Sequence, residues 1–226
     1  MRLVISVGGS IIVPEEVDYS FLLKFKKLII ELAKKHKIVL VTGGGKTARR
    51  YIEALRKSGA SIQAQDEVGI ESTRLNALLL LEFFKLKQKI PKNLNEVVNL
   101  AEKEPLVISG GFDWDGISRT SDGCAAEISA EFHADFLINM TNVAGLYNKD
   151  PQKHKDARLI RNINYADFNE IIAKVKEKPG QHFILDGQAA KFITKHKIKT
   201  AIVGKNLDNL KRCIQNKSFI GTLIQD

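Results

Sequence analysis

Ile38-Val-Leu-Val-Thr-Gly-Gly-Gly-Lys-Thr-Ala-Arg-Arg-Tyr-Ile52 is the stretch on which the fold turns. Its four leading apolar residues and Thr42 predict a buried strand, three glycines follow, and from Lys46 onward the composition favours a helix. A strand, a glycine turn and a helix together make a phosphate-binding shape. Glycine lets backbone N–H groups approach an anion closely, and the helix aims the positive end of its dipole at the same point. Lys46, Arg49 and Arg50 add full charges within the first two turns. The plainer alternative is a structural turn ahead of a solvated basic helix.

Working outward, Arg2 to Val7 is a β-branched, nearly continuous apolar run ending in Gly8-Gly9-Ser10, as expected of an interior parallel strand with a second glycine turn. Between the two strands, Phe21, Leu22, Phe25, Leu28, Ile29 and Leu32 recur at helical spacing over Tyr19 to His36, which completes a βαβ unit. Ligands of open parallel sheets collect beyond the carboxyl ends of the strands, where both glycine turns fall. Pro105-Leu-Val-Ile-Ser-Gly-Gly111 repeats the junction a third time.

Further helices are expected over Ser72–Phe84, Cys124–Phe132, Tyr165–Val175, the segment opened by Asp186, and Leu207–Ile214, with an amphipathic turn or helix within Pro91–Glu104. Further strands are expected over Asp135–Thr141, Lys199–Val203 and Gly221–Ile224, and the loop Asn142–Pro151 carries a short extended piece. Asp66 caps the helix near it or offers a carboxylate to a sugar hydroxyl pair. Arg74 and Asn76 reach a ligand or, on the plainer reading, are surface or interface residues. Thr120, Ser121 and Asp122 stand at a helix start, to cap it or to receive phosphate.

At 226 residues and 44% hydrophobic content the chain can bury a large core, as one large α/β domain or two fused lobes. No apolar run approaches the roughly 20 residues that span a bilayer, and the opening Met1-Arg-Leu-Val-Ile-Ser-Val7 runs into glycines rather than a cleavable signal. Cys124 and Cys213 lie far apart without metal-like spacing, which fits a reducing cytoplasm and gives no metal site. A net charge of +9 suits a protein that handles polyphosphates. The lysines are spread over helix faces without interleaved aromatics, the pattern of a solvated surface rather than a nucleic-acid groove. His36, His133, His154, His182 and His196 fall in helices or polar connections away from the glycine turns.

A resemblance covers nearly the whole chain. Gly8-Gly9-Ser10, Gly43-Gly44-Gly45-Lys46 with Ala48-Arg49, Asp66 followed by Gly69-Ile70 and Arg74-Leu-Asn-Ala77, Gly110-Gly111, Thr141-Asn-Val, Gly145-Leu-Tyr with Asp150-Pro151, and Asp186 with Ala189-Ala-Lys191 occur in the order found in the amino acid kinase family. Within it the chain resembles the archaeal type of uridylate kinase. The resemblance implies one domain over residues 1–226 with a three-layer αβα fold around a largely parallel sheet, its N-terminal half taking the acceptor and its C-terminal half ATP. It implies transfer of a phosphoryl group from ATP, with Mg²⁺ carried by the nucleotide, to UMP, in a cytoplasmic homohexamer without a nucleic-acid or membrane partner. Another small phosphate or carboxylate as acceptor, or a non-catalytic nucleotide- or oxyanion-binding protein, are the alternatives.

By the same resemblance Gly9 and Ser10 contact ATP phosphates, Gly44 touches the acceptor, and Gly45 and Arg49 lie along the phosphate track. Asp66 binds the acceptor's sugar, and the loop from Phe112 through Gly116 to Thr120, Ser121 and Asp122 holds its base and phosphate. Thr141, Asn142, Tyr147 and Asp150 match the ATP nucleoside site. Asp186 is the organising carboxylate and Lys191 a cation beside the transferring group, so Lys191, Asp186 and Arg49 form the catalytic set. The chain departs from the pattern at Ser6, where bacterial relatives carry lysine, at Ala144, where aspartate is usual, and in a lengthened acceptor loop with Asp113 and Asp115. Those two carboxylates would repel an anionic substrate unless they face solvent, a base N–H or a metal.

Overall fold

Runs of residues buried on both faces build the centre of the protein. A computed structural model describes residues 1–149, 151, 153–174 and 185–226. In chain order the elements are β1 Arg2–Val7, α1 Gly9–Ile12, α2 Tyr19–Ala33, β2 Lys37–Thr42, α3 Gly45–Lys57, α4 Ile62–Phe84, α5 Leu94–Lys103 and β3 Leu106–Ser109. They continue with α6 Ser121–Glu131, β4 Phe136–Met140, β5 Asn162–Ile163, α7 Tyr165–Lys174, α8 Gly187–Lys195, β6 Thr200–Val203, α9 Leu207–Ile214 and β7 Gly221–Ile224. The strands form one sheet in the order β3-β2-β1-β4-β6-β7-β5, parallel throughout except where β7 runs against β6.

The sheet is sandwiched between two helical layers, giving the expected three-layer αβα arrangement. Leu3, Ile5 and Val7 of β1 and Ile38 and Leu40 of β2 face one core with Leu22, Phe25 and Ile29 of α2, Leu80 of α4 and Leu210 of α9. Val4, Val39 and Val41 point to the opposite core with Val97 of α5, Ile128 of α6, Phe168 of α7 and Ile193 of α8. Burying such side chains stabilises the fold by about 1.5–3 kcal/mol apiece, and the two-sided burial explains why the strands lack apolar/polar alternation. α3 buries only Ala48 and packs against α4 rather than the sheet. Among the described residues no helix is long and apolar enough to cross a membrane.

Several expectations need correction. α2 ends at Ala33, so His36 lies beyond it. α4 starts ten residues earlier than the apolar run suggested, at Ile62, with Ser61 as its cap accepting from Ala64 N. Asp66 is therefore inside the helix and does not cap it. α6 begins at Ser121, with Thr120 as N-cap. The two-residue β5, paired with β7, went unrecognised in the sequence. Val175, taken as a helix boundary, and His182 lie outside the described residues.

Candidate active site

Because β1, β2, β3, β4 and β6 are parallel, their carboxyl ends open onto one edge, and Gly8, Gly43, Gly110, Thr141 and Gly204 follow them there. The first two glycine turns are in contact. A Cβ placed on Gly9 would lie 2.3 Å from Gly45 N and 2.4 Å from Gly43 O, closer than any side chain tolerates. Gly45 itself has φ +64°, a left-handed conformation that glycine adopts without strain. Gly44 is pressed between Ala48 and Ser72, where a Cβ would approach Ala48 Cβ to 2.6 Å. The cradle exists because these positions carry no side chain.

The helix α4 fixes the second turn from behind. Asn76 Nδ2 donates to Gly43 O at 2.7 Å, and Thr42 Oγ1 donates to Thr73 O at 2.8 Å. Asn76 is buried, not a surface or interface residue. Thr73 Oγ1 in turn accepts from Gly111 N at 2.6 Å, which ties the third glycine turn to the same helix. Asp66, two turns nearer the N-terminus of α4, has its Oδ2 buried with no hydrogen-bond partner in the described structure. A buried carboxylate oxygen left unpaired costs free energy, so its retention points to a donor supplied from outside the chain.

At the start of α6, Thr120 Oγ1 accepts from Gly123 N and donates to Asp186, which itself caps α8 by accepting from Gln188 N and Ala189 N. Thr120 therefore joins two helix starts, and its hydroxyl is committed. Ser121 is the freer hydroxyl: its Oγ lies 3.3 Å from where a Gly43 Cβ would be, directly over the second turn. Asp122 accepts from Ser6 Oγ at 2.8 Å beneath that turn. Burial, with the neighbouring Asp186 charge, pushes the Asp122 carboxyl up to about 6 against the opposing hydrogen bonds from Ser6 and Asn139.

The cations divide into two groups. Lys46 forms an ion pair with Glu15, which Arg50 also approaches at 3.7 Å, so these two charges are not free for an anion as the sequence suggested. Arg49 and Lys191 have no acidic partner among the described residues, and partial desolvation lowers the pKa of the Arg49 guanidinium. Lys191 lies on the exposed side of α8, opposite Ala190 and Ile193 in the core.

The acceptor loop also differs from expectation. Phe112 is buried in the core, so only its backbone can face a ligand, and Gly116 stands at the exposed loop tip with φ +90°. Asp113 faces Arg74 at 3.1 Å and Lys92 at 3.7 Å, while Asp115 faces Arg119 at 2.6 Å. The two added carboxylates are thus neutralised by cations of the chain itself, an arrangement the sequence reading did not consider. The hydrogen bond from Arg119 holds Asp115 below the usual carboxylate range. Arg74 is mostly buried by these contacts and is not a surface residue.

On the other side, Thr141 N donates to Val203 O and Thr141 Oγ1 contacts Asn142 Oδ1 at 3.3 Å, placing both at the junction of β4 and β6. Tyr147 is half-buried and bridges Leu159, and Leu146 N donates to Thr222 Oγ1 at 2.8 Å. Asp150 lies outside the described residues. Among the described residues no group of three His, Cys, Asp or Glu side chains gathers where a metal could be held. The contacts that escaped the sequence reading, Asn76 to Gly43 and Ser6 to Asp122, join residues far apart in the chain and leave no local signature.

The chain is similar to known proteins over nearly its full length. The chain is 35% identical to a uridylate kinase of Methanobrevibacter smithii, covering 99% of each, and 36% identical to a uridylate kinase of Thermoplasma volcanium, covering 99% of this chain and 97% of that one. The crystal structure of uridylate kinase from Archaeoglobus fulgidus superimposes with a TM-score of 0.87 at 33% identity, over 99% of this chain and 100% of that one. Residues 1–204 match the family model described as the amino acid kinase family, and the chain belongs to that family.

Proposed function

We propose that the protein is a UMP kinase, which transfers the terminal phosphoryl group of ATP to UMP and releases ADP and UDP. The observation that carries this reading is the contact between Gly9 and the Gly43–Gly45 turn. Two anion cradles that touch hold two phosphate tails end to end, the geometry required for in-line transfer without a covalent enzyme intermediate. The orphaned Asp66 oxygen supports a sugar hydroxyl beside the acceptor cradle. The names of the relatives at 35 and 36% identity agree.

In this reading a phosphate oxygen of UMP attacks the terminal phosphorus of ATP, the bond to the bridging oxygen breaks, and ADP departs. The acceptor is already anionic at neutral pH, so no side chain has to remove a proton, and the histidines play no part. Gly9, Ser10 and Gly45 present backbone N–H groups to the ATP phosphates, Gly44 and Ser121 to the acceptor phosphate, and Arg49 spans the two. Asp186 orders the α6 and α8 starts through Thr120, and Lys191 supplies charge to the moving group. Thr141, Asn142 and Tyr147, with Asp150, hold the ATP nucleoside, while Phe112, Gly116 and Asp122 shape the acceptor side. Mg²⁺ bound to the nucleotide would add positive charge to its phosphates.

We further propose one domain, acceptor in the N-terminal half and ATP in the C-terminal half, working in the cytoplasm as a homohexamer. Tyr51 on α3 and Ile62, Leu75 and Leu78 on α4 are large apolar side chains left exposed on adjoining helices, as a self-associating face requires. An ADP-release assay across UMP, CMP, dUMP, AMP and non-nucleotide phosphates tests the assignment. Turnover should be highest with UMP; equal turnover across the set, or none, removes the acceptor assignment.

A further inference from the structure

The segment between β3 and α6 is the part of the chain that departs furthest from the pattern it resembles, and it is tied down at two places. Arg74 of α4 reaches Asp113 Oδ1 at 3.1 Å and the carbonyls of Pro91 and Gly111 at 3.4 and 3.5 Å. Its side chain is only 14% exposed, although that of Asp113 is 50% exposed. Asp113 is held on its other side by Lys92, at 3.7 Å through the carboxylate and at 2.7 Å through its own N–H to the Lys92 carbonyl. Six residues on, Arg119 donates to Asp115 Oδ1 at 2.6 Å and to both oxygens of Glu127 of α6 at 3.0 and 3.2 Å.

Arg119 uses the planar fork that distinguishes guanidinium from ammonium, with Nε on Glu127 and Nη1 on Asp115, whereas Arg74 reaches Asp113 and the two carbonyls through Nη1, with Nε 3.7 Å from Glu71. Neither is left to meet a substrate phosphate. Arg74 also shares α4 with Asp66 and Asn76, so whatever fixes Asp113 to Arg74 fixes the loop relative to the helix behind the acceptor cradle.

We propose that Arg74–Asp113, which ties the loop to α4, and Asp115–Arg119–Glu127, which ties it to α6, form a two-point latch that closes the 112–119 loop before substrate arrives, making Arg74 and Arg119 positioning residues for the acceptor. The identity of that acceptor rests on the UMP kinase reading; the latch does not. A loop ordered only on binding loses conformational freedom at that step, and the loss weakens acceptor binding. A latched loop has already made that sacrifice during folding. The effect belongs in acceptor affinity and not in the chemical step, because neither arginine touches the reacting atoms.

Trp114 is the chain's only tryptophan and sits half-buried between the two tethers, so its fluorescence reports this loop alone. Acrylamide quenching of Trp114 in the full-length protein without nucleotide should increase about twofold in Asp113→Asn and Arg74→Met. In the same variants KM for UMP should rise about fivefold with kcat changed less than about twofold. The double variant Arg74→Met/Asp113→Asn should be no worse than the worse single one, since each breaks the same tether. Arg74→Lys should rescue only part of the effect. Unchanged quenching in both single variants overturns the latch, and increased quenching with unchanged KM overturns its role in acceptor binding. If the parent does not turn over UMP, the UMP reading fails while the quenching comparison still decides whether the latch exists.

Discussion

Ser6 Oγ donates a hydrogen bond to Asp122 Oδ1 at 2.8 Å, joining β1, an interior strand of the sheet, to the first turn of α6 below the glycine turns. Desolvation of the carboxyl, with the Asp186 charge near it, disfavours its charged form even with the help of Ser6 and Asn139. A pKa raised from 3.8 to about 6 means that, between those values, the unfolded chain loses this proton and the native protein keeps it. Stability from this group is full below about pH 4 and is lost as pH rises to about 6, a change on the order of 3 kcal/mol. Urea unfolding of the parent and Asp122→Asn at pH 4.5 and pH 7 isolates it. The variant's stability relative to the parent should be greater at pH 7 than at pH 4.5; a constant difference would mean that Asp122 titrates normally.

The contact between the glycine turns makes a second prediction. In Gly9→Ala the new methyl meets backbone at 2.3 Å, and backbone cannot step aside. Destabilisation of about 1–3 kcal/mol or more is expected, with a fall in Tm of several degrees. Gly69→Ala supplies the contrast. Its Cβ would meet only the tip of Ile52 at 3.3 Å, inside a helix where alanine is favoured over glycine by up to about 1 kcal/mol. Differential scanning of both variants should place Gly9→Ala well below the parent and Gly69→Ala near or above it. The reverse order would show that the two turns do not touch in solution.

Asp66 should behave as a residue kept for function at the expense of stability. Asp66→Ala removes the unpaired buried oxygen, so Tm should hold or rise. In its proposed role Asp66 also accepts from the sugar, so KM for UMP should increase about 10- to 100-fold in the variant with a smaller change in kcat. A variant that loses Tm while retaining its KM would mark Asp66 as a structural residue.

Much of this was legible because the relevant signals are local. β1, β2, β3, β4, β6 and β7 are short runs buried on both faces, and the glycines after the first three mark the edge onto which the parallel strands open. α4 was read ten residues short because Gln63, Gln65, Asp66 and Glu67 make its opening turns polar and Gly69 resembles a break; packing against α3 overrides both. β5 is two residues that become a strand only beside β7. The neutralisation of Asp113 by Arg74 spans 39 residues and the pairing of Lys46 with Glu15 spans 31, distances at which sequence carries charge but not partner.

That last pairing ranks the cations of α3 and α8 proposed to act on the phosphates. Lys46 sits closest in sequence to the glycines but is held by Glu15, which Arg50 also approaches, whereas Arg49 and Lys191 have no carboxylate among the described residues. A cation already neutralised contributes little to a developing charge, and a free one aimed at the site contributes most. Lys46→Met should therefore lower kcat/KM for UMP less than about threefold, a surface ion pair's worth. Arg49→Met should cost about 10²-fold or more in kcat/KM, and Lys191→Ala a comparable factor mainly in kcat, as expected when a transition-state donor is removed. Steady-state kinetics of the three variants decides the matter: if Lys46→Met is the most damaged, Glu15 releases its partner on substrate binding and the ranking drawn from the resting structure is wrong.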